Sequence, residues 1–82
     1  MAQMTERVRF TKHAEDMLRE RELPRELVVD TVLNPDWTER ETEEIWHAFK
    51  RVGERVLRVV VRGDQEPYLV ITEFFDRRVK GR

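Results

Sequence analysis

Hydrophobic residues follow two different periods along the chain, and the change falls near residue 36. Ala14, Met17, Leu18 and Arg21 sit at i, i+3, i+4 and i+7, which makes one stripe on a helix predicted over residues 12–21. Thr11 stands where an N-cap is needed, with a hydroxyl able to accept an orphan N–H of the first turn. Leu23-Pro24 ends that helix and opens a second, because a proline in the first turn loses no hydrogen bond. Leu27, Val28, Val32 and Leu33 give the second helix its apolar side, and Asn34-Pro35 stops it. Val8–Phe10 is a short first strand, and residues 1–6 have too little pattern to hold structure.

After residue 36 the period is two. The sequence predicts a weak strand at Trp37–Arg40 and strong strands at Ile45–Val52, Arg55–Arg62 and Tyr68–Phe75. Gly53-Glu54 is a two-residue loop with glycine first, which suits a type II′ hairpin. That turn pairs Val52 with Arg55, and hence Phe49 with Arg58 and His47 with Val60. A simple loop at 63–67 then pairs Arg62 with Tyr68 and Arg58 with Thr72. On this register Trp46, Ala48, Leu57, Val59, Val61, Leu69 and Ile71 face the helices. His47, Phe49, Arg51, Arg58, Arg62, Tyr68, Thr72 and Phe74 share the other face. The expected fold is α+β: one domain over 1–82, with two N-terminal helices on an antiparallel sheet.

Length and composition bound what such a domain does. The chain has 82 residues, room for one core, and no cysteine for disulfides or thiolate metal sites. No apolar run approaches the ~18 residues of a membrane span, so the default expectation is a cytoplasmic protein without a membrane partner. Charged residues make up 40% of the chain, yet the net charge is −1. The distribution matters more than the total. Residues 36–44 hold five acids and one arginine, whereas residues 50–62 hold five bases and one acid. The segment 76–82 is basic as well. Two readings follow: a basic surface on a neutral protein, or acidic and basic strands that pair with each other.

The stretch "FTKHAEDMLRER", the "LP" and "NP" that bracket the second helix, "KRVGERVLRVVV" and "YLVITEFFDRR" together resemble a family of short prokaryotic proteins known as domain-of-unknown-function family 4258. The family is similar to the RelE/ParE toxins. The positions that match its pattern are His13, Arg19, Arg21, Gly53, Arg55, Arg58, Thr72, Asp76, Arg77 and Arg78. The resemblance implies two helices against a curved antiparallel sheet. It also implies either metal-independent cleavage of RNA or a non-catalytic protein-binding role, with a small antitoxin-like protein as partner. Ribosome-dependent toxins of that kind are strongly basic, and a net charge of −1 is a departure from them.

Metal-free cleavage of RNA requires a base for the 2′-hydroxyl, an acid for the leaving oxygen and cations for the phosphorane. His13 and His47 are the candidates for proton transfer. Arg51, Arg58, Arg62, Arg77 and Arg78 are the candidates for phosphate, through the guanidinium fork. No cofactor is expected and no metal-ligand spacing is present. His13 has a structural alternative: a half-buried imidazole that fixes the start of the first helix. Arg19 and Arg21, interleaved with acids, read as a salt-bridged helix surface. Trp37 and Trp46 read as fillers of the core.

Overall fold

Thr11 sets the entry to the first helix. Its backbone is extended, and its hydroxyl accepts the Ala14 N–H at 3.0 Å. The same hydroxyl donates to the carbonyl of Ile71, and the Thr11 N–H donates to that of Val70. The computed structural model describes residues 6–78, which form β1 (Val8–Phe10), α1 (Lys12–Glu20), α2 (Arg25–Leu33), β2 (Trp37–Arg40), β3 (Ile45–Val52), β4 (Arg55–Arg62) and β5 (Tyr68–Phe75). The expected fraying of 1–6 and the basic tail 76–82 fall largely on residues 1–5 and 79–82, outside the described residues.

The chain leaves α1 through a Schellman turn. Leu23 N–H reaches back to Leu18 O and Glu22 N–H to Arg19 O. Glu22 takes the left-handed position, with φ of 54°, where glycine is the usual occupant. Buried Leu18 and Leu23 accompany the turn on its apolar side. Pro24 caps α2 and is not part of its first turn, with its carbonyl accepting from Leu27 and Val28. Two bonds between Arg25 and Glu15 tie α2 back to α1.

The strands form one five-stranded sheet in the order β1-β5-β4-β3-β2. The β3–β4 hairpin has the expected register, with Val52 opposite Arg55, Phe49 opposite Arg58 and His47 opposite Val60. Gly53 has φ of 63°, and Glu54 is not left-handed, as a type II′ turn requires. The fold class is α+β, but the sheet is mixed: β1 runs parallel to β5. A three-residue strand has no pattern that names its partner. Its direction is set by the helices that carry the chain away from it.

The register of β5 corrects the expected faces. Arg62 lies opposite Leu69, not Tyr68, and Arg58 lies opposite Phe74, not Thr72. A bulge is the cause. Val61 pairs with Val70 and Val60 with Thr72, so Ile71 is an extra residue in β5. Tyr68 and Val70 therefore face the helices, while Leu69 and Ile71 are not core residues. Beyond the bulge the phase reverses. Thr72 and Phe74 turn away from the helices, and Glu73 and Phe75 turn toward them. Val28, Val32, Ala48, Leu57, Val59, Val61 and Val70 form the center of the core. Trp46 packs at its edge, with its indole N–H on Gly63 O at 2.8 Å.

β1 reaches only as far as Val70 along β5, and α1 covers the edge that remains. Thr11 Oγ1 bonds the carbonyl of Ile71 at 3.3 Å, and the Arg21 guanidinium bonds that of Glu73 at 2.8 Å. The free edge of β5 is thus closed by the two ends of one helix. Arg21, expected in a salt-bridged helix surface, is exposed as expected but caps a strand carbonyl in place of a carboxylate.

Glu73 is the anomaly of the core. It is fully buried opposite Val59, and neither carboxylate oxygen has a partner among the described residues. Burial pushes its carboxyl up to about 7, against a smaller pull from Arg21. The folded chain therefore keeps a proton that the unfolded chain releases near 4.5. The contribution of Glu73 to stability is fully present below that value and falls as pH rises toward and through 7. Denaturant melts across this window should show the fall, by on the order of 2–3 kcal/mol, and Glu73→Gln should abolish it. Thr11→Ala should cost about 1–2 kcal/mol in the same assay, because it frees a helix N–H and a strand carbonyl together, whereas Thr11→Ser should cost less.

Candidate functional site

The sheet face away from the helices carries its own cluster of side chains. Alternation places His47, Phe49 and Arg51 of β3 on this face, with Trp37 of β2 and with Val56 and Arg58 of β4. Trp37 and Phe49 are directly opposite each other and stack, with centroids 4.8 Å apart and planes 4° from parallel. Phe49 and Val56 are fully buried without any help from a helix. Arg58 lies over the Phe49 ring at 5.0 Å and Arg51 over the Trp37 ring at 4.9 Å. Trp37 is thus a platform on the open face and not a filler of the core.

Four ionizable groups run in a chain across this platform. Arg58 Nε donates to His47 Nδ1 at 2.9 Å, and another nitrogen of Arg58 bonds the Asp76 carboxylate. His47 Nε2 lies 2.6 Å from Glu41 Oε1. An arginine cannot accept a hydrogen bond, so His47 Nδ1 must be the acceptor and Nε2 carries the proton. The imidazole is therefore neutral, with its lone pair held by Arg58 and its N–H directed to Glu41. Burial works against the charge on Asp76, but bonds from Arg58 and from the Arg78 N–H outweigh it and hold the carboxyl below its ordinary value.

The five arginines expected on phosphate separate into two groups. Arg51, Arg58, Arg77 and Arg78 gather at the hairpin end, because Asp76 N–H bonds Val56 O and brings the end of β5 beside the start of β4. Arg51 and Arg77 are exposed and have no carboxylate partner among the described residues. Arg78 keeps its side chain 3.8 Å from Asp76. Arg62 lies on the same face but four residues along β4, roughly 13 Å away, paired with Glu44 at 3.5 Å. The acidic and basic segments pair only in part, through Arg62–Glu44, while Arg40, inside the acidic segment, pairs with Asp64 at 2.9 Å.

The two histidines do not meet. His13 is the second residue of α1, exposed, and its side chain makes no hydrogen bond among the described residues. The half-buried structural role expected for it is not what the structure has; Thr11 fixes that helix entry. α1 packs on β5 and β1, so β4 and β5 lie between His13 and His47. Arg19 bonds Asp16 at 3.1 Å on the surface of α1. Among the described residues no group of three or more His, Asp or Glu is placed to hold a metal ion.

Sequence reasoning missed Glu41 and the part played by Asp76. Glu41 continues the 37, 39, 41 phase of β2, a signal that period two contains. Asp76 continues the 72, 74, 76 phase of the face expected to carry Thr72 and Phe74, but it lies one residue past the strand predicted to end at Phe75.

A family model for a domain of unknown function, DUF4258, matches residues 10–74. The chain belongs to this family. No curated protein and no solved structure matches it. The DUF4258 match covers both helices and β2 through most of β5, including His47 and Arg58; Asp76, Arg77 and Arg78 lie just beyond it.

The chain of bonds through Arg58 supports part of the fold as well as the site. Asp76→Asn removes the charge opposite a partly buried guanidinium and should lower stability by on the order of 2–3 kcal/mol. His13→Ala should change it by less than about 0.5 kcal/mol. Thermal melts of the two variants, side by side, check both.

Proposed function

We propose that this DUF4258 domain binds single-stranded RNA on the open face of its sheet. The observation that carries the reading is the juxtaposition at the hairpin end: Arg51 and Arg58 lie over an aromatic platform of Trp37 and Phe49, and Arg77 and Arg78 follow directly on Asp76, the partner of Arg58. Unpaired bases are held by stacking on aromatic rings and guanidinium planes, and their phosphates by arginine forks. Arg51 and Arg77 are free to bind phosphate. Arg58 has two of its five donors engaged by His47 and Asp76, and the remainder serve the same ligand. The net charge of −1 does not oppose this, because screening confines the field to a Debye length of about 8 Å, and the arginines are clustered within a few residues of one another.

Binding is favored over cleavage by the state of His47. Its lone pair is engaged by Arg58, so it offers a proton and does not accept one, and His13 is too far away to complete an acid–base pair. One observation favors the second reading, metal-independent cleavage. Glu41 is exposed and touches His47, which sets a carboxylate base, an N–H donor and a guanidinium in line. The toxin role and the antitoxin-like partner that the RelE/ParE resemblance implies join this proposal through RNA as the target. No described helix is long and apolar enough to cross a membrane.

Fluorescence anisotropy with a labeled single-stranded RNA tests the proposal. Three or four phosphate contacts predict a slope of about −2 to −3 for log affinity against log salt. Arg51→Ala and Arg77→Ala should each weaken binding several-fold, while Arg62→Ala, outside the cluster, should not. Absence of binding at low salt would overturn the proposal. Intact RNA after incubation is expected. Cleavage that Glu41→Gln abolishes would replace binding with the second reading.

A further inference from the structure

The open face has a second feature that RNA binding does not use. Ile45, Val60, Leu69, Ile71 and Phe74 are apolar and only half-buried there, while both helices pack on the opposite face. Charge changes sign along the strands on either side of this strip. At the hairpin end Arg51 is exposed on this face with no carboxylate partner among the described residues, and exposed Arg77 follows just past Asp76, against Asp36 and Glu54 nearby. At the other end Glu41, Glu43 and Glu44 are exposed, with Arg62 and Arg40 beside them; Glu43 has no ion pair among the described residues, and Glu39, opposite His47, lies midway between the two ends. β3 and β4 are eight residues long, so the ends are roughly 25 Å apart. That is about three Debye lengths, so the two ends of one chain cannot neutralize each other.

We propose that this face is a self-association surface. Two copies pack sheet to sheet about a two-fold axis that lies between them and runs across the strands. A half-turn about that axis places the basic end of each copy over the acidic end of the other and brings the two apolar strips together. A second copy is the occupant that fits, because the pattern is complementary to itself: positive, apolar, negative along one axis. The axis passes near His47 and Ala48, midway between Arg51 and Glu44 on β3, so those two residues meet twice in the pair. Sheets pack face to face in this aligned manner in sandwich folds, with side chains of the two inner faces interdigitating. The inference stands without the RNA reading. If both hold, the second copy covers the arginines that grip phosphate, and RNA and self-association compete.

Sedimentation equilibrium on the full 82-residue chain without RNA tests it. The expected result is a dimer at low salt that shifts toward monomer as salt rises. Arg51→Glu and Glu44→Arg should each sediment as monomers, and an equimolar mixture of the two should recover the dimer, because both contacts are then again between opposite charges. Val60→Asp attacks the apolar strip and should give a folded monomer, with circular dichroism confirming the fold. A wild-type chain that remains monomeric at low salt overturns the proposal, as does a dimer that neither Val60→Asp nor the charge reversals weaken. Assemblies that grow beyond two copies overturn the two-fold arrangement.

Discussion

One extra residue in β5 decides what each face of this sheet contains. With Ile71 unpaired, Tyr68 and Val70 point to the helices on one side of the bulge, and Glu73 and Phe75 do so on the other. Without it, strict alternation would carry the phase of Tyr68 on to Asp76 and turn Asp76 toward the helices. Asp76 would then lose Arg58, and Arg58 would lose the partner that holds it over Phe49 and against His47. The bulge is itself held from outside the strand. Thr11 bonds the carbonyls on either side of the break in phase, and Arg21 bonds the next free one, so α1 and the bulge stabilize each other.

The same break leaves Glu73 in the core. A carboxyl with no partner is tolerated there because it stays protonated well above its ordinary range, which turns a large cost of burying charge into a smaller cost of burying a neutral group. Stability and pH are thereby linked in a direction opposite to that set by Asp76. Asp76 favors the fold when ionized and loses its contribution in acid, whereas Glu73 penalizes the fold when ionized. The two arms place the stability maximum between the regions where each fails.

The open face combines two kinds of interaction that ordinarily lie apart. Phe49 and Val56 are as buried as any core residue, yet they are covered by Trp37, Arg51, Arg58 and His47 and not by a helix. Long basic side chains with apolar stems and charged ends can shield aromatic surface and still present donors to solvent. That double use ties stability to recognition. A substitution at Arg58 or Asp76 disturbs both, whereas Arg51 and Arg77, exposed and without carboxylate partners, report on recognition with less effect on the fold.

Much of the architecture is written locally, and those parts were legible in the sequence. The stripe of Ala14 and Leu18, the Thr11 cap, the proline boundaries at 24 and 35 and the alternation in β2 through β4 each depend on residues within one or two turns of each other. Gly53 then sets the β3–β4 register, because a two-residue loop allows little else. The remainder depends on contacts between distant parts of the chain. The direction of β1, the bulge at Ile71 and the bonds that join Glu41, His47, Arg58 and Asp76 into one chain depend on partners that no local period names. Ile71 is as fit for a core position as Val70, and only α1 lying against the edge of β5 selects between them. For that reason the sequence by itself determined the elements and one hairpin, and the tertiary structure decided which side chains of β5 became core and which became site.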